Sequence, residues 1–348
     1  MGGDGFFTRI FSSLKNGGGR WWASFFTHTN EDMLILKTYN MDREPNAHRD
    51  DLSLKFFSAL HPLKAKFISL LNIDLGRTVP GGVNYLDARA QCIDEVVLAA
   101  IGGSHPPSPR IQQIVVLGSG FCTVSIRHAT PGVRFFEVDL PSVINRKKKL
   151  LRKLKVTRDQ SEERMAQHEL NLIPLVLGRK KTSDLVDALV GTGFDPEVPS
   201  LFIVEGLLYY LPAQGVEELL RTIGARLMAP QSLLVLDFLH LDAVREGTRR
   251  DNDQEQAVDA AITERYGTNY TRFKKLLAGK GEPLLSGIPA DEDACRAFFR
   301  RFDLELTELM GGDDLARRFL PHLVPCLEGQ GCNMLPWFSL AKCGRISE

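Results

Sequence analysis

The sequence predicts an α/β fold with an open, mostly parallel sheet covered by helices on both faces. Three observations carry this prediction. From Ile114 onward, strand-like apolar runs alternate with helical patterns; a glycine turn at Gly118, Ser119 and Gly120 follows the first run; and the second run closes on a lone carboxylate, Asp139. Such alternation implies right-handed crossovers and a parallel sheet. With 348 residues the chain is long enough to bury a substantial core. It reads as an extension over 1–30 and a single domain over 31–348, with an inserted cap at 240–282.

Taken in order, the elements justify that reading. Phe6, Phe7, Ile10, Phe11 and Leu14 recur at helical spacing beside Arg9 and Lys15. The pattern suits a helix packed on the body, an organelle-targeting segment or a membrane-surface helix. Asn16 and the glycines at 17–19 then read as a joint, and 30–100 looks helical. Ile114, Val115, Val116 and Leu117 form the first buried strand, and 133–138 the second. A helix at 142–154 leads to an apolar third strand at 172–177. After a helix at 182–190, Leu201, Phe202, Ile203 and Val204 make the fourth strand and run into Glu205 and Gly206. A helix at 213–228 and a strand at 232–238 follow. Residues 240–282 are charged and helix-prone, which marks the cap. A helix at 291–301 and strands at 304–309 and 333–343 complete the order.

The strand, turn and strand over 114–139 also have a chemical reading. Glycines lack a Cβ and let backbone approach a ligand, and a carboxylate at the end of the next strand can accept hydrogen bonds from both hydroxyls of a ribose. The gap from Gly118 to Asp139 is about the 20 residues this unit requires. Thr123 stands where a dinucleotide fingerprint has its third glycine, which disfavours a pyrophosphate, and no G-x-x-x-x-G-K-[ST] loop supports a triphosphate. A phosphate-free adenosine remains, and points to S-adenosyl-L-methionine. A tight turn without a ligand is the competing reading.

Composition narrows the partners. Lys plus Arg and Asp plus Glu number 43 each, so no global field attracts nucleic acid or an anionic membrane. Arg146, Lys147, Lys148, Lys149, Arg152, Lys153, Lys155 and Arg158 read as the solvated face of one helix, a nucleic-acid or acidic-lipid patch being the alternative. The six cysteines are scattered without a C-x-x-C pair, which suits reduced thiols and a cytoplasmic setting, with an organelle as the alternative. No apolar run reaches the roughly 18 residues of a membrane span, and the histidines and cysteines lack metal-ligand spacing.

Several motifs resemble the leucine carboxyl methyltransferase family. They are Ala88, Arg89 and Ala90 with Ile93, Asp94 and Glu95; the V-V-L-G-S-G run ending at Gly120; F-E-V-D-L-P ending at Pro141, with Arg146, Lys147 and Lys148; Gly193, Phe194, Asp195 and Pro199; and E-G-L-L-Y-Y-L-P from Glu205 to Pro212. The resemblance spans roughly 50–345. Its two longer elements are far more specific than the glycine turn. It implies a Rossmann-like class I methyltransferase, with a seven-stranded sheet whose last strand is reversed and a partly helical cap.

The resemblance also implies residue roles. Gly118, Ser119 and Gly120 would pass close to the cofactor, Asp139 would hold its ribose, and Leu140, Leu177 and Gly206 would border it. Arg89 would pair with the cofactor carboxylate, as Lys37 could; a surface salt bridge is the alternative for Arg89 and a solvated side chain the alternative for Lys37. Glu205 would lie near the sulfonium or amino group, and is otherwise a helix-start carboxylate. Tyr209 faces either the acceptor or the core, and with Glu205 forms the candidate catalytic pair. Cys122 replaces a family aspartate, and Leu175, Val176, Leu177 and Gly178 replace an adenine-binding aspartate and leucine. A backbone carbonyl or Asn171 is the substitute there. The expected activity is methyl transfer to a carboxylate or hydroxyl oxygen of a small molecule, with sulfur, nitrogen or a protein C-terminus as other acceptors. A non-catalytic cofactor-binding protein and a nicotinamide oxidoreductase are the rivals. Segments 1–60, 240–282 and 311–332 would line the acceptor pocket.

Overall fold

The computed structural model describes residues 29–44, 46–71, 81–102, 110–154, 169–178, 183–244, 282–323 and 334–346, together with Tyr270, Phe273, Lys274 and Leu277. The predicted amphipathic segment at 6–14, the joint at 17–19 and most of the 240–282 cap lie outside the described residues. Four helices lead in: α1 Thr29–Thr38, α2 Asp51–Leu60, α3 Pro62–Leu71 and α4 Gly82–Gly102. Asp50 starts α2 by accepting the Ser53 amide at 2.9 Å.

Strands and helices then alternate: β1 Gln113–Leu117, α5 Val124–Arg127, β2 Arg134–Asp139, α6 Pro141–Lys153, β3 Glu169–Pro174, α7 Ser183–Val190 and β4 Ser200–Val204. A 3-10 turn at Leu208–Tyr210 leads into α8 Ala213–Thr222, β5 Leu233–Leu239, α9 Leu241–Val244, α10 Glu292–Arg300, β6 Leu304–Gly311, α11 Gly312–Phe319 and β7 Phe338–Arg345. The seven strands form one sheet in the order β3-β2-β1-β4-β5-β7-β6. All pairs are parallel except those of β7, which runs antiparallel to both β5 and β6. This is the seven-stranded, mostly parallel sheet with a reversed last strand that the resemblance implies.

β1 and β4 are buried at every position, which is why both appear in the sequence as unbroken apolar runs. On one face, α4 sets Tyr85, Ala88 and Cys92 into the core that holds Ile114, Val116 and Phe135. On the other, Leu189, Leu220 and Phe299 of α7, α8 and α10 join Val115, Phe202 and Leu234. A third cluster unites Leu34 and Ile35 of α1, Phe56 and Phe57 of α2, and Leu150 and Leu151 of α6 with Phe121 beside the glycine turn. The entering helices are thereby packed as a roof over one end of the sheet.

Boundaries depart from the sequence expectation where local chemistry overrides apolar patterning. β3 occupies Glu169–Pro174 and not 172–177: it pairs with β2 up to Asp139↔Pro174, where β2 itself ends, and the Leu175 amide makes the closing bond to the Asp139 carbonyl at 2.8 Å. Leu175, Val176 and Leu177 lie beyond the end of the strand. The last strand starts at Phe338, after Pro336. The 213–228 helix is α-helical only to Thr222 and widens into a π turn at Ile223–Leu227. The basic helix α6 is not uniformly solvated: Lys147 is fully buried, and Arg146 reaches Glu31 of α1 in an ion pair.

Candidate active site

Strand register places the site. Leu117 is opposite both Val138 and Val204, so the residues following β1, β2 and β4 emerge side by side. Sheet order also switches direction between β1 and β4, where open α/β sheets leave a crevice at the carboxyl ends of their strands. A cavity of about 880 Å³ opens there, and it is bordered by Lys37, Arg89, Gly118, Ser119, Gly120, Asp139, Leu140, Leu177, Glu205, Gly206 and Tyr209, all singled out in the sequence.

The glycine turn is built by backbone geometry. Gly118 has φ +67°, and a Cβ there would sit 3.0 Å from the Leu207 side chain, so neither the conformation nor the space suits another residue. The Gly118 and Ser119 amides donate to the Val138 carbonyl at 2.8 and 3.2 Å, tying the turn to the end of β2. Asp139 fastens the other side: its Oδ2 accepts the Gly120 amide and its Oδ1 the Leu140 amide, each at 2.6 Å. A carboxylate has about four acceptor positions, so two remain for hydroxyl donors. Burial pushes the Asp139 carboxyl above its ordinary pKa.

A charge relay lies across the cavity. Glu205 follows β4 directly, and its Oε1 is 2.5 Å from Lys37 Nζ and 2.8 Å from Arg89 Nη2. Burial raises its pKa, but Lys37 and Arg89 outweigh that and bring it down to about 2. Arg89 also donates from Nη1 to Asp237 Oδ2 at 2.5 Å, while Asp237 Oδ1 accepts the Gly206 amide at 2.6 Å. Arg89 is thus held between two acidic groups, and its pKa is raised despite burial. Asp237 is a buttress that strand patterning alone marks only as a polar residue within an apolar strand.

Tyr209 sits on the 3-10 turn with its ring 5.2 Å from Phe338 and 4.7 Å from Tyr210, centroid to centroid. It belongs to the core through Phe338 and also borders the cavity, as does Tyr210. A Cβ on Gly206 would come 3.4 Å from the Tyr209 hydroxyl, which locates that hydroxyl over the turn after β4. Leu140, Leu175, Val176, Leu177 and Leu211 form an apolar wall beside Asp139. Asn171 is not part of it: its amide is 3.4 Å from the Phe135 carbonyl of β2 and the residue does not border the cavity, so it is not the adenine substitute.

One wall was not legible in the sequence. His48, Asp50, Ser53, Thr123 and Arg127 border the cavity on the side of α2 and α5. Asp50 Oδ2 accepts from Thr123 Oγ1 at 2.6 Å and Ser53 Oγ at 2.7 Å, and Asp94 is clasped by Arg127, His48 and His128. Apart from Ser53 with Asp50, these partners lie 33 to 73 residues apart in the chain. The only local signal was Asp50 three residues before Ser53, a helix-start pattern. From the acceptor segments, Met33 and Leu34 of α1 and Glu282 border the cavity, followed by Pro283 and Leu285; no described residue of 311–332 does.

The comparisons agree with this architecture. The family model for leucine carboxyl methyltransferase matches residues 37–224. A putative S-adenosyl-L-methionine-dependent methyltransferase of Frankia alni is 33% identical over 138 residues, 39% of this chain and 42% of that protein. One of Mycobacterium tuberculosis is 33% identical over 180 residues, 49% of this chain and 48% of that protein. The matched stretch thus spans less than half the length of each relative. Among solved structures, a DUF574 family protein from Streptomyces avermitilis superposes with a TM-score of 0.51 at 13% identity, covering 84% of this chain and 97% of that one, which speaks to the fold alone. With the family's signature elements closing on one cavity, and its model matching more than half of the sequence, the chain belongs to the leucine carboxyl methyltransferase family.

Proposed function

We propose that this chain is an S-adenosyl-L-methionine-dependent methyltransferase acting on a carboxylate or hydroxyl oxygen of a small molecule. One observation carries the reading: a carboxylate with free acceptor positions, Asp139, and an acidic–basic relay, Glu205 with Lys37 and Arg89, face each other across a glycine turn in one cavity. Ser119 Oγ, buried and without a partner among the described residues, supports a ligand at that turn. The relatives' names support the same cofactor.

The residues fit that group. Asp139 would hold the ribose hydroxyls, the leucine wall the adenine, and Lys37 and Arg89 the carboxylate of the methionine part. Glu205 would face its positive end. The cofactor supplies an electrophilic methyl on a sulfonium, and the displacement is in line, so the protein's task is to align the acceptor and exclude water. The α1–α2 roof with the stretch at 282–285 does the second, and Tyr209 and Tyr210 orient the acceptor. A carboxylate acceptor is already ionised at neutral pH and needs no base; a hydroxyl requires one. Burial raises the Tyr209 hydroxyl well above the ordinary tyrosine value, so it serves as a hydrogen-bond donor and not as a base.

No helix among the described residues is long and apolar enough to cross a membrane. The free thiols of Cys92, Cys122, Cys295 and Cys343 support a reducing, cytoplasmic setting. Titration calorimetry with S-adenosyl-L-methionine tests the cofactor; saturable binding is expected, and no binding removes the reading. Transfer of tritium from labelled cofactor to a small-molecule fraction separates catalysis from the second reading, a cofactor-binding regulatory protein. Cys122 at the family's aspartate position favours that second reading.

A further inference from the structure

Beneath the glycine turn lies a charged pair that the cofactor contacts do not use. Lys147 of α6 and Glu137 of β2 both have fully buried side chains, with Nζ 2.5 Å from Glu137 Oε2. The same Nζ donates to the Cys122 carbonyl at 2.5 Å, and Ser125 of α5 donates from its hydroxyl to Glu137 Oε1. Cys122 in turn closes the glycine turn, its amide donating to the Ser119 carbonyl at 2.8 Å. Glu137 stands two residues before Asp139 and so shares its face of β2. The turn is consequently held from two points on one strand and its following helix: Asp139 grips the Gly120 amide, and Lys147 grips the Cys122 carbonyl.

A buried ion pair is a weak source of stability, because desolvation offsets most of the attraction and apolar residues of similar volume often serve as well. Packing alone therefore does not account for a lysine at this place. We infer that Lys147, neutralised by Glu137, is a positioning residue that fixes the backbone between Gly118 and Cys122 against Asp139, and thereby the groove in which the ribose and methionine parts of the cofactor lie. This rests on the cofactor reading above, but the state of the turn can be measured without any ligand.

The test compares Glu137→Leu/Lys147→Met, which removes both charges together and leaves no unpaired one, with the wild-type chain. Hydrogen exchange of the unliganded protein is expected to quicken about tenfold or more in the peptide spanning 118–123, with protection of β4 and β5 retained, and the dissociation constant for S-adenosyl-L-methionine is expected to rise about tenfold. Lys147→Arg, which keeps a charged donor, is expected to hold both values within about threefold. Should the double variant not fold, Ser125→Ala, which removes only the hydroxyl donor to Glu137, is expected to quicken exchange in the same peptide by about threefold. Unchanged exchange in the turn overturns the inference, as does a loss of protection spread evenly through the sheet, which is what a mere core brace would give. A wild-type chain that fails to bind the cofactor while the turn still loosens in the variant overturns the cofactor reading and leaves the positioning role standing.

Discussion

The two sides of the cavity are held by different means. On the sheet side, the 118–120 turn and Asp139 are fixed by backbone amides, with strand register setting their positions to within a hydrogen bond. On the roof side, Lys37 is held to Glu205 through a long side chain, while α1 itself is fastened by Glu31 to His61 at 2.5 Å and by Asp32 to Lys64 at 2.5 Å. Groups fixed by the backbone lose little further entropy when a ligand arrives; groups on long side chains can rearrange at modest cost. The sheet side is thus suited to a constant ligand and the roof side to a variable one.

Breaking the sheet side should give the largest effect. Asp139→Ala removes a charged acceptor of two hydroxyl bonds and frees the Gly120 amide, so the affinity for S-adenosyl-L-methionine should fall about 100-fold or more by calorimetry. A smaller change would mean that the ribose is held elsewhere.

The two carboxylates should also separate by pH. Asp139 is raised by burial and so takes up a proton at or above the ordinary carboxylate range, whereas Glu205 is held at about 2 and stays ionised there. Cofactor affinity should therefore decline as pH falls through the raised Asp139 titration, while Glu205 is still ionised, and Asp139→Asn should abolish that acid limb while Glu205→Gln leaves it in place. Stability changes in the same direction, but through the other carboxylate and at lower pH. The depressed value of Glu205 means that its contribution is present above the unfolded value of 4.5 and is lost as pH falls toward 2. Acid unfolding curves of Glu205→Gln should accordingly be flatter in that window.

Smaller effects should sharpen the contrast. Lys37→Ala leaves Glu205 with Arg89 and should weaken cofactor binding by about threefold to tenfold, since one charge-assisted contact from a partly exposed side chain is lost. Leu177→Ala, in the apolar wall, should cost less than about tenfold. Glu282→Ala should leave cofactor affinity unchanged and alter only the acceptor KM, once an acceptor is identified by screening methylated products; a change in cofactor affinity would break the division between the two sides.

Much of the sheet side was legible because its signals are local. An apolar strand, a glycine turn and a terminal carboxylate lie within 28 residues of sequence from Ile114 to Pro141, and each has a reason that needs no distant partner. The roof was legible only as helix. Leu175, Val176 and Leu177 read as a strand because hydrophobicity does not say whether a side chain faces a sheet neighbour or a ligand cavity. Lys147 read as solvated because its neighbours in sequence are basic, whereas its partners, Glu137 and the Cys122 carbonyl, come from other elements.

The sequence by itself determined the strand order in time, the turn that admits a ligand and the acid that ends β2, since all three follow from periodicity, from the absence of a Cβ and from a polar group at the end of a buried run. Only the tertiary structure decided that Arg89 is shared between Glu205 and Asp237, that Asp50 and Asp94 build a wall, and that a buried lysine holds the turn. The physical reason is that a charge is placed by its partners, and here those partners lie on different elements that meet only when the sheet closes beneath its roof.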